Sequence, residues 1–216
     1  MTASPQTVAW PGELAEQARV ALRAAEVILA GGLVVYPTDT VYGLGADPNQ
    51  HAAVQRIFQA KGRPDEKAIV WLVNSLVQVN LVVEITAAAE SLAARFWPGP
   101  LTLILWRAHP STDALPTLAV RAPAHPAALA IIAAVAGPVA TTSANRSGAP
   151  ASRSAEQAAA ALGNQVELIV DAGPSPLGHE STIVDLTSTP PRIIRAGPVT
   201  AAALSEVLGT RVEEPA

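Results

Sequence analysis

The chain has 216 residues, 50% of them apolar and 15% charged, which excludes a disordered chain. Its apolar runs are shorter than the roughly 20 residues that a membrane-spanning helix needs. A formal net charge of −4 argues against a dedicated DNA-binding module, and the absence of cysteine excludes disulfides, thiolate nucleophiles and cysteine-ligated metals. The first residues contain neither a basic segment nor a following apolar stretch, so no targeting peptide is indicated and a cytoplasmic location is expected.

Apolar residues recur at helical spacing in some segments and form short runs in others, and Gly or Pro stands at many of the boundaries. In chain order, these patterns predict helix 13–29, strand 33–36, helix 51–59, strand 69–73, helix 86–96, strands 101–106 and 118–121, helix 127–135, strand 139–141, helix 154–162, strands 168–170, 182–186 and 192–195, and helix 200–208.

Alternating strands and helices favour a single α/β domain with helices packed on a sheet. The late strands follow one another without intervening helices, which makes a mixed parallel and antiparallel sheet more plausible than a purely parallel one. We expect this domain to span 10–210 and to be followed by a short tail, 211–216.

The segment Lys61-Gly-Arg63-Pro64 is the most informative basic cluster. Pro64 disfavours helical backbone at Arg63, and in extended chain two residues that are two apart share a face. Lys61 and Arg63 would then form a paired cation suited to phosphate oxygens, with Lys67 close by. A solvated basic loop that closes a helix is the alternative explanation for the same residues.

Short polar side chains follow two predicted strands at the same i,i+2 spacing. Thr38 and Thr40 come after the first strand, and Ser143 and Asn145 come after strand 139–141. These groups could donate to and accept from a ligand, but turns and N-caps favour the same residue types. Each pair therefore needs independent support.

Arg121 and Arg195 end two apolar strands, where an arginine needs an anionic or carbonyl partner. An anionic substrate and one of the chain's own carboxylates are both possible partners. His179 and Glu180 lie in another polar turn, but the spacing of a zinc-protease motif is missing and no protein-bound metal is expected. Walker A and G-x-G-x-x-G signatures are also absent, so a nucleotide would have to be bound in another way.

Together these segments closely resemble the YrdC/Sua5 family of threonylcarbamoyl-adenylate synthases. The matching stretches are 31–45 (GGLVVYPTDTVYGLG), 58–64 (FQAKGRP), 97–102 (WPGPLT), 119–126 (AVRAPAHP), 142–145 (TSAN), 178–183 (GHESTI) and 194–198 (IRAGP). The joint match covers nearly the whole chain in the family's order. It implies a twisted, mixed α/β sheet flanked by helices, with a concave ligand site, and a short YrdC-type member without the extra Sua5 domain.

The resemblance also implies roles for individual residues. Threonine would be contacted by Thr40, Arg121, the backbone at Thr141, and Ser181. ATP would be contacted by Arg63, Lys67, Thr117, Ser143 and Arg195. Lys61 and Asn145 complete the family's Lys-x-Arg and Ser-x-Asn pairs, which makes Lys61, Arg63, Ser143 and Asn145 the candidate catalytic residues. The chain departs from the longer Sua5 proteins at Leu72, where they carry a threonine-contacting histidine, and at Ala151, where they carry an ATP-contacting serine that Ser152 could replace.

The implied reaction joins L-threonine, bicarbonate and ATP into threonylcarbamoyl-AMP and pyrophosphate, for N6-threonylcarbamoyladenosine at position 37 of tRNAs. Mg²⁺ would enter with ATP, and a tRNA-modifying threonylcarbamoyl transferase complex would receive the product, with at most weak tRNA contact and no membrane partner. One alternative is a double-stranded RNA or tRNA-binding module without catalysis. The other is a carbamoyl-transfer enzyme of the same fold that uses carbamoyl phosphate.

Overall fold

The structure is a computed structural model that describes residues 5–62, 69–109 and 115–215. The strands in these ranges are β1 (Gln6–Ala9), β2 (Val34–Tyr36), β3 (Gly43–Ala46), β4 (Val70–Leu72), β5 (Leu101–Trp106), β6 (Thr117–Arg121), β7 (Val139–Ser143), β8 (Leu168–Asp171), β9 (Thr182–Asp185) and β10 (Arg192–Arg195). The helices are α1 (Leu14–Leu29), α2 (His51–Lys61), α3 (Ala87–Phe96), α4 (Pro126–Val135), α5 (Ala155–Leu162) and α6 (Ala201–Leu208), with 3₁₀ helices at Leu76–Val79 and Gly163–Gln165.

The helix ends follow from local chemistry. Thr86, Ser154 and Thr200 accept a backbone N–H with their hydroxyl oxygens as N-caps of α3, α5 and α6. Gly62, with φ of 63°, ends α2 in the left-handed region that glycine adopts without a Cβ clash. Lys61 is therefore the last residue of α2.

The strands form one sheet in the order β1-β8-β2-β3-β7-β4-β6-β5-β9-β10. Strand pairs β1/β8, β2/β8, β4/β6 and β5/β9 are parallel, whereas β2/β3, β3/β7, β4/β7, β5/β6 and β9/β10 are antiparallel. The mixed sheet that the late strands predicted is confirmed.

The predicted strands and helices are all present, but two further strands, β1 and β3, were not predicted. β3 has the sequence GLGA, and glycine is depleted in strands. Its glycines are required by packing: a Cβ on Gly45 would lie 2.6 Å from Tyr36 Cε1 and 2.9 Å from Val139 Cγ1. Cross-strand contact therefore overrides local propensity here.

Both faces of the central strands are covered by helices. Val34 and Tyr36 pack in one core cluster with α1 and α4, while Val35 between them packs in a second cluster with α2 and α5. This alternation is the period of two that strand geometry dictates. A third cluster joins α3 and α6 to β5 and β6. The polar side chains of the β2–β3 turn are thus held between rigid, fully buried strands.

The C-terminal residues contact the edge of the sheet. Ile193 of β10 donates its backbone N–H to Glu213 O at 2.8 Å, and Val212 is 4% exposed. None of the helices in the described ranges is long and apolar enough to cross a membrane.

Candidate active site

A cavity of about 210 Å³ opens on the sheet. Its walls come from the β2–β3 turn, from β6 and β7, and from the segments around β9 and β10; they include Thr40, Arg121, Thr141, Ser143, Ser181 and Arg195. Pockets that enclose drug-sized ligands measure roughly 300–1,000 Å³, so this one suits a smaller metabolite.

Arg121 is the buried cation of this cavity. It is 5% exposed, and its guanidinium donates Nε–H to Gly99 O at 2.9 Å, Nη1–H to Thr40 Oγ1 at 2.8 Å and Nη2–H to Asp39 Oδ1 at 2.5 Å. Burial lowers the pKa of Arg121, and the Asp39 carboxylate opposes that shift. The guanidinium has five N–H bonds, so three fixed ones set its orientation and leave the others for an anion.

A chain of hydroxyl groups extends from Arg121 into the β2–β3 turn. Thr38 donates its hydroxyl proton to Val41 O at 2.6 Å, so the Thr40 hydroxyl, 3.0 Å away, donates to Thr38 Oγ1. Both threonines are buried. Thr40 therefore offers a ligand an oxygen lone pair, since its proton is already engaged.

On β7, Thr141 is oriented by two contacts inside the sheet. Its hydroxyl donates to Val139 O at 3.1 Å, and Tyr36 donates to Thr141 Oγ1 at 2.6 Å. Burial raises the pKa of Tyr36 far above its ordinary value, so the phenol stays protonated. The side chain of Thr141 is thus engaged inside the sheet, and the backbone contact to threonine that the resemblance implies stays a prediction.

Arg195 is the second cation of the cavity and is half-buried. It donates Nε–H to Ser181 O and Nη2–H to Ser181 Oγ, each at 3.0 Å, and pairs with Glu180 Oε1 at 3.0 Å. Ser181 Oγ also lies 2.8 Å from Thr102 Oγ1. Burial lowers the pKa of Arg195, with Glu180 opposing the shift. The positive charge of Arg195 also lowers the pKa of Arg121, so the two guanidinium groups interact electrostatically.

Lys61 fixes the loop that follows β7. Its ammonium donates to Ser143 O, to Asn145 O at 2.7 Å and to Asn145 Oδ1 at 3.1 Å, and the side chain is 3% exposed. The amide of Asn145 in turn donates to Arg146 O and Ala149 O. These contacts position the loop, and with it the hydroxyl of Ser143.

A second cavity adjoins the first. Val41 and Glu180 line both, and the second also includes Asn145, Ser152 and Arg153. Its volume is about 590 Å³, which gives the two together room for an elongated ligand. Within the described part of the chain, no group of three or more His, Asp or Glu side chains is arranged to hold a metal ion.

The structure brings most of the predicted residues together. Thr40, Arg121, Thr141, Ser143, Ser181 and Arg195 line the first cavity, Asn145 lines the second, and Lys61 contacts the loop between them. Thr117, at the start of β6, lines neither cavity. Arg63 and Lys67 lie outside the described residues, and their roles stay predictions, as does that of Thr117.

Sequence reasoning missed Asp39 and gave Glu180 no role. The carboxylate partners that Arg121 and Arg195 needed were left open, and both arginines use carboxylates of this chain. The signal for Asp39 was present: an acidic residue lies between two threonines directly after a buried strand. What the sequence could not supply was the contact across 82 residues of chain.

Comparisons with known proteins identify the family. A family model for the Sua5/YciO/YrdC domain, described as telomere recombination, matches residues 26–197. The chain belongs to the Sua5/YciO/YrdC family.

Among members of the Sua5/YciO/YrdC family, a threonylcarbamoyl-AMP synthase of Pyrococcus abyssi is 44% identical over 191 residues, 86% of this chain and 56% of that protein. A Mycobacterium tuberculosis relative is 44% identical over 200 residues, 90% of this chain and 91% of its own length. The crystal structure of P. abyssi Sua5 complexed with L-threonine superimposes with a TM-score of 0.87 at 40% identity, covering 96% of this chain and 61% of that one. The chain thus spans little more than half of the P. abyssi relative and nearly all of the mycobacterial one.

Two departures from the longer Sua5 proteins can now be located. Leu72 is 3% exposed and gives the first cavity an apolar wall where the resemblance implies a histidine in those proteins. Ser152 lines the second cavity, and its hydroxyl donates to Ala144 O. Ser152 therefore offers a ligand lone pairs only.

Proposed function

We propose that this chain is a threonylcarbamoyl-AMP synthase, which converts L-threonine, bicarbonate and ATP into threonylcarbamoyl-AMP and pyrophosphate. The observation that carries the proposal is Arg121, a buried and already oriented guanidinium facing a cavity that a second cation, Arg195, also lines. The identity of this chain to a protein named threonylcarbamoyl-AMP synthase, and the solved threonine complex of P. abyssi Sua5, support it.

In the proposed complex, the carboxylate of threonine binds to Arg121. Arginine matches a carboxylate geometrically because its planar N–H groups can form parallel hydrogen bonds. The lone pair of Thr40 and the hydroxyl of Ser181 lie on the same cavity and would receive the remaining polar groups of the ligand. The apolar side chain of Leu72 offers contact to a methyl group.

ATP is proposed to bind with its phosphates near Arg195 and Ser143, towards the second cavity. The lining groups there include hydroxyls, amides and guanidinium groups, which suit phosphate oxygens, together with the carboxylate of Glu180, which Arg195 pairs. Mg²⁺ would accompany ATP, held mainly by the phosphate oxygens, and would neutralise their charge. Lys67 and Arg63 are proposed as further phosphate contacts from the resemblance.

The proposed chemistry needs no covalent intermediate with the protein. The amine of threonine combines with carbon dioxide from bicarbonate to give a carbamate, and a carbamate oxygen then attacks the α-phosphorus of ATP as pyrophosphate leaves. The protein supplies orientation of the reactants and cationic groups for the phosphate charge. The fixed hydrogen bonds of Arg121, Arg195 and Lys61 are the preorganisation that such catalysis uses.

The proposed biological role is to supply the adenylate to a tRNA-modifying threonylcarbamoyl transferase complex in the cytoplasm, for N6-threonylcarbamoyladenosine at position 37 of tRNAs. The direct test measures pyrophosphate release from MgATP while threonine or bicarbonate is omitted in turn. Release that requires both supports the synthase. Absence of release, combined with salt-sensitive RNA binding that needs no ATP, would replace it with the RNA-binding module.

Arg63→Ala tests the proposed phosphate contact. The variant is expected to lose nearly all pyrophosphate release while its thermal unfolding stays close to that of the wild type. Arg211→Ala, which removes an exposed arginine near the C-terminus, is the matched control and is expected to keep full activity. Full turnover by the Arg63 variant would remove this residue from the mechanism.

A further inference from the structure

An amino acid carries a carboxylate and an ammonium group, and the site described so far gives only the carboxylate a partner of opposite charge. Arg121 suits the carboxylate. The first cavity therefore needs a partner for the positive end of the ligand, because a charge that leaves water without a partner is unfavourable by several kcal/mol.

Glu180 is the acidic side chain of this cavity. Among the described residues that line it, no other Asp or Glu is present, and two arginines account for the positive charges. Glu180 Oε1 pairs with Arg195 Nη1 at 3.0 Å, and within the described part of the chain no hydrogen bond reaches Oε2. A carboxylate has about four acceptor positions, so Glu180 can keep Arg195 and accept another donor.

The backbone that carries Glu180 is held in place. The next residue, Ser181, is 3% exposed and bonds to both Thr102 and Arg195. Gly197 packs directly against this segment, since a Cβ there would lie 2.8 Å from Glu180 O and 2.6 Å from Ser181 C. The carboxylate therefore projects from a fixed support, as a selective ligand contact requires.

We propose that Glu180 binds the α-ammonium group of the amino-acid substrate, so that Arg121 and Glu180 together recognise its two charges. This inference rests on the proposed function and adds a substrate-binding residue to it. Conversion of the ammonium and bicarbonate into a carbamate and water releases one proton in total. The nitrogen keeps one N–H, which can still donate to Glu180 while the new carboxylate reaches the phosphate.

A positioning role is the competing explanation: Glu180 would act only by holding Arg195. The two roles differ in which ligands they affect. Loss of an ammonium contact weakens ligands that carry an amino group, whereas misplacement of Arg195 weakens ligands with and without one to the same extent.

The test compares the binding of L-threonine and of 3-hydroxybutyrate, which is threonine with its amino group replaced by hydrogen, to the full-length protein without ATP. The variant is Glu180→Gln, which keeps the shape of the side chain. Glu90→Gln, on the exposed surface of α3, is the control for loss of one negative charge.

Wild type and Glu90→Gln are expected to bind L-threonine at least about tenfold more tightly than 3-hydroxybutyrate, the size of a hydrogen bond to a charged group. In Glu180→Gln this preference is expected to fall to about twofold or less, with 3-hydroxybutyrate binding unchanged. A variant that keeps the wild-type preference, or a wild type that has none, overturns the inference. Failure of the proposed function is read separately, as absence of threonine-dependent pyrophosphate release by the wild type.

Discussion

Asp39 accepts a hydrogen bond from Arg121 at 2.5 Å, at a point where the two side chains are 8% and 6% exposed. The ion pair joins the turn after β2 to the end of β6, two segments separated by β3, β7 and β4 in the sheet. It fixes the guanidinium before any ligand arrives. The positive charge of Arg121, which we propose binds the carboxylate of threonine, is therefore a permanent part of the fold.

Asp39→Asn is expected to lower the free energy of unfolding by about 3 kcal/mol, because it leaves the buried Arg121 charge uncompensated. Urea denaturation measures the change. Glu16→Gln breaks an exposed pair with Arg19 and is the control, with an expected loss within about 1 kcal/mol. Equal effects of the two substitutions would show that the Asp39–Arg121 pair contributes no more than a surface pair.

Lys61→Met is expected to release the loop after β7, because the carbonyl oxygens of Ser143 and Asn145 lose a charged donor. Hydrogen exchange of the amides of 143–149 should accelerate, with a fall in pyrophosphate release of about a hundredfold or more, comparable to the loss of one preorganised catalytic group. Arg19→Met, on the exposed side of α1, is the control and should change neither. Unchanged exchange together with lost activity would mean that Lys61 contacts the substrate rather than positioning the loop.

Gly45→Ala is expected to be destabilising by about 2–4 kcal/mol, since the added Cβ would overlap the Tyr36 ring and Val139 between buried strands. Gly137→Ala is the matched control, because a Cβ there meets no atom within 4 Å. Its unfolding midpoint should stay close to that of the wild type. Similar midpoints for both variants would contradict the close contact of β3 with its neighbours.

His125 is expected to make stability depend on pH. Burial lowers the pKa of His125, and its Nδ1 accepts the Ala127 N–H as the N-cap of α4, which requires an unprotonated nitrogen. The unfolded histidine titrates near pH 6.5, so the unfolded state binds the proton first as pH falls. The stabilisation is therefore fully present above about pH 6.5 and is lost as pH falls through the folded-state pKa.

His125→Asn retains a capping side chain without a titrating group. Between about pH 7.5 and about pH 5, its thermal midpoint is expected to fall less than that of the wild type. The other histidines and the carboxylates are common to both proteins and cancel in this comparison. Identical pH dependence would show that His125 titrates alike in the folded and unfolded states.

Local sequence patterns predicted the helices and strands whose boundaries are marked by glycine, proline or capping residues. The predicted helices 86–96, 154–162 and 200–208 begin at Thr86, Ser154 and Thr200, and these residues are the N-caps of α3, α5 and α6. β3 was missed because two of its four residues are glycines, whose presence is explained by Tyr36 and Val139 on the neighbouring strands. That cause lies in tertiary packing and is invisible in a local window.

The site residues that stand in a recognisable position of the sequence, such as the end of a predicted strand, were predictable. Thr40, Ser143 and Arg195 were singled out from strand-end positions and line one cavity. The partner of each arginine was not predictable, because the choice between a substrate anion and a carboxylate of the chain depends on strand order. Antiparallel pairing of β7 with both β3 and β4 decides which strand ends meet, and no local signal encodes it.

The central claim is that this protein makes threonylcarbamoyl-AMP in the cavity lined by Arg121 and Arg195. The most direct measurement incubates the full chain with L-threonine, MgATP and ¹³C-labelled bicarbonate, and detects the adenylate by mass spectrometry before it hydrolyses. Our account predicts threonylcarbamoyl-AMP carrying the ¹³C label, formed together with pyrophosphate and lost when threonine is omitted. Pyrophosphate released without threonine, or an adenylate that lacks the label, would contradict it.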